Sequence, residues 1–326
     1  MKVYITRNIP DSGIKMLRDK GYEVDINSKD KVLSKSELIK NLKKKDYNAV
    51  LCLLTDKIDG EVFDAAKNAK IFANYAVGFD NIDLEAAKQR GVMVANTPGV
   101  LNEAVAEHAV ALMLAASRRI VEADSFSRKG KYKGWAPMLF LGNSLFGKTV
   151  GIVGLGRIGS RVAHMVSDGF GAKVVYYDLK RNEDFEREFP NGSIEYKEDV
   201  DEALRESDFI SIHLPLTEKT KHIINKEKLS LMKPGALLVN TSRGPIIDEA
   251  ALAEALKNGR IKGAALDVFE FEPKITKALT RLSNVVLTPH IASATEEARS
   301  KMAELAAINI IEVLEGRTPP ASILPS

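Results

Sequence analysis

Short apolar runs rich in β-branched residues alternate with amphipathic stretches along the N-terminal part of the chain. Runs that are apolar on both faces are typical of strands covered by helices on both sides of a sheet. Strands separated by helices are joined by crossover connections, which place them parallel in one sheet. The pattern therefore predicts an open α/β domain, with strands at residues 2–6, 22–26, 49–54, 70–74 and 92–96.

A second series of such runs follows a long alanine-rich stretch. The turn-forming sequence Asn-Thr-Pro-Gly at 96–99 precedes a predicted helix over 102–123, and a loop rich in glycine, lysine and aromatic residues occupies 130–147. The segment from residue 291 has no strand run, is helical over 294–314, and is expected to return to the first domain. The remaining runs predict a second parallel sheet, with strands at residues 148–153, 174–177, 209–213, 236–240, 263–267 and 285–288.

Composition limits the classes of partner. The chain has 326 residues, of which 45% are hydrophobic and 28% charged, a balance typical of a globular protein. The formal net charge is only +3 with both signs interleaved, so we expect neither nucleic acid nor a membrane as partner. Without a signal peptide pattern, a cytoplasmic location is expected. Cys52 is the single cysteine, and no His, Asp and Glu cluster has ligand spacing, so no disulfide and no metal site are expected.

Residues 154–159 have the sequence Gly-Leu-Gly-Arg-Ile-Gly, with the spacing G-x-G-x-x-G. The motif alone is a weak signal, but here it follows an apolar strand, opens a predicted helix at 157–166, and precedes by about 20 residues an aspartate that closes the next strand. The glycines let the backbone approach a pyrophosphate, and the helix N-terminus stabilises its charge. This context predicts a dinucleotide site, with a methyltransferase as the alternative, at Gly154, Gly156, Arg157, Ile158, Gly159 and Asp178.

Three residues suited to the chemistry of 2-oxo acids follow strands of the second sheet. Arg243, Glu272 and His290 each come after a different predicted strand. An arginine can bind carboxylate and carbonyl oxygens, a histidine can exchange a proton with the reacting oxygen, and a carboxylate can orient that histidine. Open α/β sheets bind ligands at the carboxyl ends of their strands, where these side chains are expected to converge. The sequence thus predicts a hydride-transferring oxidoreductase.

The chain resembles the D-isomer-specific 2-hydroxyacid dehydrogenases from end to end. The matching segments are Asn-Tyr-Ala-Val-Gly-Phe-Asp-Asn-Ile-Asp at 74–83, the strand and glycine motif at 151–159, Thr-Ser-Arg-Gly at 241–244, Asp-Val-Phe-Glu-Phe-Glu-Pro at 267–273 and Thr-Pro-His-Ile-Ala-Ser-Ala at 288–294. A set of motifs spread over the whole chain is highly specific. Glu272 disfavours the formate dehydrogenases of the wider group, which resemble this chain but carry glutamine at that position.

The resemblance implies roles for individual residues. Arg243 would clamp the substrate, His290 would act as acid and base, and Glu272 would orient His290 and favour its protonated form. The backbone N–H groups of Val77 and Gly78 would bind the substrate carboxylate. Further implied cofactor contacts are His213 at the adenine, Asp267 near the nicotinamide carboxamide, Pro215 and Thr241.

The resemblance also implies the architecture, a Rossmann dinucleotide-binding domain inserted into a flavodoxin-like substrate domain. We expect the substrate domain at 1–98 and 291–326 and the dinucleotide-binding domain at 99–290, with the active site in the cleft. A homodimer is implied, held by a dimerisation helix and loop at 102–147, because small residues let helices approach closely. Trp135 would then reach the active site of the partner subunit, with packing inside its own subunit as the alternative.

Glyoxylate and hydroxypyruvate are the expected substrates, because Leu54 presents an apolar wall where a substrate phosphate would lose its water without compensation. D-3-phosphoglycerate dehydrogenase and D-lactate dehydrogenase are the alternative enzymes, and an NAD-sensing corepressor or scaffold is the alternative of another class. The expected cofactor is NAD, because the Asp178 carboxylate would repel the 2′-phosphate of NADP. Lys180 and Arg181, which follow it, argue in the opposite direction.

Overall fold

The structure is a computed structural model that describes residues 1–29, 31–189 and 192–323. The chain divides into two compact units, Met1–Leu101 together with the segment from Ala294 onward, and Asn102–Ser293. Each unit is built on one parallel sheet, which confirms the expected α/β fold class. No helix within the described ranges is long and apolar enough to span a membrane.

Strands and helices alternate through the N-terminal part of the first unit. They are β1 (Lys2–Ile5), α1 (Asp11–Asp19), β2 (Glu23–Ile26), α2 (Lys35–Leu42), β3 (Ala49–Leu53), α3 (Gly60–Ala65), β4 (Ile71–Tyr75), α4 (Leu84–Gln89) and β5 (Met93–Ala95). The strand order β2-β1-β3-β4-β5 is the flavodoxin-like order. The strands lie where the apolar runs predicted them, because buried β-branched runs between helices leave little choice of element.

The C-terminal helix α12 (Glu296–Leu314) belongs to the first unit and packs against α1 and β4. Thr295 caps its N-terminus, where its hydroxyl accepts from the N–H of Ala298 at 3.1 Å. Close packing of the two helices requires Gly13 in α1, since a Cβ there would lie 2.3 Å from the carbonyl oxygen of Ala303. The C-terminal segment therefore completes the first unit.

The second unit has a seven-stranded sheet covered on both faces. Its elements are α5 (Asn102–Ser117), α6 (Ile120–Arg128), β6 (Thr149–Val153), α7 (Arg157–Phe170), β7 (Lys173–Tyr177), α8 (Glu183–Glu186), β8 (Ile194–Lys197), α9 (Val200–Glu206), β9 (Phe209–Ile212), α10 (Lys226–Leu231), β10 (Leu237–Asn240), α11 (Glu249–Lys257), β11 (Gly263–Leu266) and β12 (Val285–Leu287). The order β12-β11-β10-β9-β6-β7-β8 contains the Rossmann arrangement, extended at one edge by β12.

The single helix predicted over 102–123 was wrong, because the chain forms two helices, α5 and α6. Arg119 separates them with a backbone φ of 54°, in the left-handed region. Its guanidinium donates to both carboxylate oxygens of Glu122, at 2.9 and 2.8 Å, and lies 4.9 Å from the ring centre of Phe140. Since neither glycine nor proline marks this break, the apolar pattern continues through it and hides it.

The strand β8 was not predicted. It is a short strand at the end of the strand order and, among the described residues, pairs with β7 alone. Its residue Lys197 is buried and pairs with the carboxylates of Glu195 and Glu206, each at 2.6 Å. A lysine and a glutamate in so short a run conceal a strand from a search for apolar runs.

Candidate active site

His290 lies in a turn directly after β12, and its backbone φ of 55° is in the left-handed region. Such a conformation costs free energy for a residue other than glycine and persists only where contacts fix it. The N–H of His290 donates to the carbonyl oxygens of Asp267, at 2.8 Å, and Thr288, at 3.1 Å. The end of the neighbouring strand β11 therefore sets the orientation of this turn.

The side chain of Asp267 ties the same turn to β11. Its fully buried carboxylate accepts from the hydroxyl of Thr288 at 2.6 Å, and from the N–H groups of Ile291 at 2.9 Å and Ala292 at 2.8 Å. Burial favours the neutral acid, but the hydrogen bonds from these groups and from His108 outweigh it and hold the pKa of Asp267 below its usual value. The ionised carboxylate of Asp267 thus binds residues of the turn both before and after His290.

Glu272 contacts the imidazole of His290. Its Oε2 lies 3.1 Å from Nδ1 of His290, and its Oε1 accepts from the N–H of Phe269 at 3.0 Å. Burial raises the pKa of Glu272, but the hydrogen bond and charge of His290, the Phe269 N–H and the charge of Arg243 outweigh it, so that the pKa lies below its usual value. Since an ionised carboxylate only accepts, Nδ1 of His290 carries a proton and Nε2 is left to exchange one.

Arg243 follows β10 in extended backbone conformation. Asn240 organises the turn before it, because its Nδ2 donates to the carbonyl of Arg243 at 2.9 Å and its Oδ1 accepts from the N–H of Ser242 at 3.0 Å. The guanidinium donates to the carbonyl of Ser242 at 2.9 Å. The structure thus places Arg243, Glu272 and His290 beyond the carboxyl ends of the neighbouring strands β10, β11 and β12.

The glycine motif forms the turn between β6 and α7. Gly154 has a φ of 99°, and a Cβ there would lie 2.8 Å from the carbonyl oxygen of His213. A Cβ on Gly159 would lie 2.2 Å from the carbonyl of Gly154, whereas one on Gly156 would meet no atom within 4 Å. Arg157 and Ile158 begin the helix, whose first turn has no acidic residue to occupy its N–H groups. The residues present therefore fit a pyrophosphate.

Asp178 comes directly after β7 and is held by two backbone N–H groups. Its Oδ2 accepts from Leu155, inside the glycine motif, at 2.8 Å, and its Oδ1 accepts from Leu179 at 2.6 Å. A carboxylate oxygen has two lone pairs, so each retains a site for a ribose hydroxyl. The side chain is thus positioned relative to the pyrophosphate turn.

Three further residues predicted to contact the cofactor follow β9 and β10. Nε2 of His213 lies 2.9 Å from the hydroxyl of Ser211, and burial lowers the pKa of His213 to about 4, so the ring is neutral at neutral pH. Pro215 is exposed in the loop after β9. The hydroxyl of Thr241 is buried and has no hydrogen-bond partner within the described ranges, as expected of a group that a bound ligand satisfies.

In the first unit, the loop after β4 has three consecutive peptide groups whose carbonyl oxygens accept hydrogen bonds. The carbonyls of Ala76, Val77 and Gly78 accept, in that order, from the N–H of Thr97 at 2.8 Å, Asn96 Nδ2 at 2.7 Å and Asn74 Nδ2 at 2.9 Å. The C=O and N–H of a trans peptide point in opposite directions, so the N–H groups that follow point away from these donors. Among the described residues, no acceptor binds these N–H groups, which belong to Val77, Gly78 and Phe79.

Three residues that were not predicted support these groups. One is His108, whose Nε2 lies 3.5 Å from the carboxylate of Asp267 and 3.3 Å from the hydroxyl of Thr288. The others are Asn74 and Asn96, and their amide side chains close to a predicted binding loop are the one signal that could have indicated them. These residues act through hydrogen bonds to other protein groups, which composition and spacing do not reveal.

Two further residues were predicted to line the substrate site. Leu54 is half-buried in the turn after β3, and Trp135 is 83% exposed in the loop after α6. No group of His, Cys, Asp and Glu side chains that could hold a metal ion occurs in the part of the chain that the structure describes.

A family model described as "D-isomer specific 2-hydroxyacid dehydrogenase, NAD binding domain" matches residues 110–292. A glyoxylate reductase of Thermofilum pendens is 53% identical over 324 residues, which are 99% of this chain and 94% of the relative. A solved structure of a Thermus thermophilus protein has 42% identity and a TM-score of 0.92, covering 99% of this chain and 100% of that one.

An NADPH-dependent glyoxylate/hydroxypyruvate reductase of Sinorhizobium meliloti has 30% identity and a TM-score of 0.84, covering 99% of this chain and 97% of that one. The matches extend over nearly the whole chain and confirm the resemblance that the motifs indicated. The chain belongs to the D-isomer-specific 2-hydroxyacid dehydrogenase family.

Proposed function

We propose that this chain reduces glyoxylate or hydroxypyruvate with NADH, giving the D-2-hydroxy acid where the product is chiral. Family membership makes it an oxidoreductase that uses a nicotinamide dinucleotide and acts on CH–OH donors. The hydrogen-bonded pair of Glu272 and His290, at the same sheet edge as Arg243, carries the proposal. The relatives from Thermofilum pendens and Sinorhizobium meliloti, which are named for these substrates, support the substrate class.

The proposed binding of substrate uses both charge and backbone donors. The three N–H groups of Val77, Gly78 and Phe79 are suited to the substrate carboxylate, because peptide N–H groups without protein acceptors bind anions. Arg243 would bind the carbonyl oxygen and a carboxylate oxygen together, since its planar fork donates in two directions. Leu54 would exclude a larger, phosphorylated substrate.

The proposed chemistry requires one proton and one hydride. The dinucleotide would be held by the glycine turn, Asp178, Thr241 and His213, and its bound nicotinamide supplies the hydride to the carbonyl carbon. His290 holds the proton at Nε2 and transfers it to the carbonyl oxygen as the carbon is reduced. Glu272 keeps the imidazole oriented and stabilises its cationic form before the transfer.

NAD is the proposed cofactor in preference to NADP. The position of Asp178 after β7 supports this choice, because its carboxylate can accept from ribose hydroxyls and would repel a 2′-phosphate. The Asp267 carboxylate, proposed to lie near the nicotinamide carboxamide, has its oxygens engaged by the turn after β12. Its contribution would therefore come mainly through the position of that turn.

Steady-state kinetics with NADH and a panel of 2-oxo acids tests the proposal. Glyoxylate and hydroxypyruvate should have the largest kcat/KM, pyruvate a smaller one, and 3-phosphohydroxypyruvate the smallest. A kcat/KM for the phosphorylated acid above that for glyoxylate would contradict the substrate assignment. Absence of turnover with every acid would instead favour an NAD-sensing scaffold built on the same fold.

A cytoplasmic homodimer is also proposed, held by α5, α6 and the loop that follows. Exposed apolar side chains in this region support the dimer, since Trp135 is 83% and Met138 75% exposed. A groove of about 760 Å³ in the same unit is lined in part by Phe126, Phe140 and Leu141. Light scattering should give twice the mass of one chain, and a particle of one chain at working concentration would contradict the dimer. Cell fractionation tests the location.

A further inference from the structure

The turn after β7 contains a cation that is already bound to a carboxylate. The guanidinium of Arg181 donates to Glu186 through Nε, at 3.0 Å to Oε1 and 3.1 Å to Oε2, and through Nη2, at 2.7 Å to Oε2. Glu186 is the last residue of α8, so the pair closes the turn onto that helix. Arg181 is only three positions beyond Asp178, the residue proposed to face the adenosine ribose.

A tyrosine of β7 holds the carboxylate of this pair from the other side. The hydroxyl of Tyr176 donates to Oε1 of Glu186 at 2.7 Å and accepts from the N–H of Asn182 at 2.9 Å. The Tyr176 ring is fully buried, and burial raises the pKa of its phenol, which therefore remains a donor. The hydrogen bond from Arg181 is the main cause that the pKa of Glu186 lies below its usual value. The carboxylate is thus ionised and fixed at neutral pH.

This ion pair weakens the argument that the basic residues of the turn favour NADP. Cations that follow this strand can accommodate the 2′-phosphate of NADP, and Arg181 is one of two candidates. A guanidinium that donates in its fork geometry to one carboxylate cannot offer the same N–H groups to a phosphate. A phosphate that displaced Glu186 would also face that residue's charge.

We propose that Glu186 is a residue that determines cofactor specificity, because it occupies the N–H groups with which Arg181 would bind a 2′-phosphate. Asp178 would repel the phosphate directly, and Glu186 would remove its strongest attractive partner. Tyr176 would contribute by fixing the carboxylate. The inference rests on the proposed preference for NAD.

Ligand binding without turnover tests this role. Isothermal calorimetry should compare the affinities for adenosine 2′,5′-bisphosphate and 5′-AMP, which differ only in the 2′-phosphate. In Glu186→Gln, the affinity for the bisphosphate relative to 5′-AMP should rise about 5-fold, the size expected for one partly exposed ion pair. The ratio of kcat/KM for NADPH to that for NADH should rise in parallel. Adding Arg181→Gln should reverse both increases.

Asp184→Asn is the matched control. Asp184 lies in the same helix and binds Nη1 of Arg187 at 2.7 Å, so its replacement makes the same change of charge and releases a different arginine. Its affinity ratio should stay within about 2-fold of wild type. An equal increase in this control, or an increase that persists in the double variant with Arg181→Gln, would overturn the inference, because either result indicates a general effect of charge.

A second variant addresses disturbance of the fold. Tyr176→Phe keeps the charges of the ion pair but removes the hydroxyl that fixes Glu186, and we expect an increase of about 2-fold in the same ratio. An unchanged ratio in a folded Glu186→Gln protein would overturn the proposal. The wild-type ratio tests a separate point: preference for NADPH there would refute the proposed cofactor, whereas only the change between variants tests Glu186.

Discussion

Two aspartates follow parallel strands of the same sheet, and their surroundings give them different tasks. Asp267 after β11 is fully buried, and side-chain and backbone donors occupy its oxygens. Asp178 after β7 is half-buried, accepts from one N–H group at each oxygen, and keeps lone pairs for a ligand. Position at a strand end therefore brings a residue to the site, while burial and the number of donors decide whether its side chain anchors the protein or selects a ligand.

The largest effect is expected in the turn that Asp267 anchors. His290→Asn should lower kcat by about 10²-fold to 10⁴-fold, because asparagine tolerates the left-handed backbone but cannot exchange the proton. His164→Asn is the control, since that histidine stacks on Phe189 in a separate part of the second unit and should leave kcat close to wild type. Stopped-flow reduction of glyoxylate measures both. A loss below 10-fold would contradict the assignment of His290 as the acid.

Stability measurements compare the two aspartates directly. Asp267→Asn should lower the free energy of unfolding by about 3 kcal/mol, because an amide replaces a buried charge that accepts from several donors. Asp178→Asn should lower it by less than about 1 kcal/mol, since this side chain is half-buried and has fewer donors. Urea titrations followed by circular dichroism give both values. Equal losses of stability in the two variants would contradict the different roles of Asp267 and Asp178.

The partner of His290 is expected to have a smaller effect than His290 itself. Glu272→Gln should lower kcat of reduction by about 10-fold to 100-fold and leave the Kd for NADH unchanged. Glu272 is anionic at neutral pH, because its pKa lies below the usual value, and an anion favours the protonated imidazole. Glutamine carries no charge, so this support for the imidazole that donates the proton is lost. A kcat of reduction equal to wild type in Glu272→Gln would show that Glu272 does not act on His290.

The smallest expected effect concerns the second aspartate. Asp178→Ala should raise the ratio of kcat/KM for NADPH to that for NADH by about 10-fold, because a repulsive charge near the 2′-phosphate is removed. Asp184→Asn is the control, since its carboxylate binds Arg187 and has no proposed part in cofactor binding. An equal or larger change of the ratio in Asp184→Asn than in Asp178→Ala would contradict the role of Asp178.

Much of this arrangement could be predicted from the sequence. Arg243 and His290 were found because each follows an apolar run, and parallel strands deliver the residues after them to one edge. The contact of His108 with Asp267 could not be found, because it joins α5 to the end of β11 through tertiary packing alone. Arg181 and Glu186 are close in sequence, but spacing in a helix or turn does not predict which cation a carboxylate binds.

The elements that were predicted wrongly have physical causes of the same kind. The break at Arg119 depends on an ion pair with Glu122 and a contact with the ring of Phe140, not on a residue type that ends helices. Strand β8 depends on backbone hydrogen bonds with β7, and its mixed polar sequence does not indicate this pairing. The local sequence pattern predicts helices and strands whose own apolar residues are buried. It fails for elements whose position depends on contacts with a neighbouring element.

The peptide groups after β4 give the proposed carboxylate site donors that do not depend on side-chain identity. A backbone N–H does not titrate and survives every substitution except proline, so affinity for the carboxylate through these donors should not change with pH or with the side chain at Val77. The residues that can alter it are Asn74 and Asn96, which hold the carbonyls on the far side. The share of anion affinity that these N–H groups provide would therefore be tuned at residues that never touch the anion.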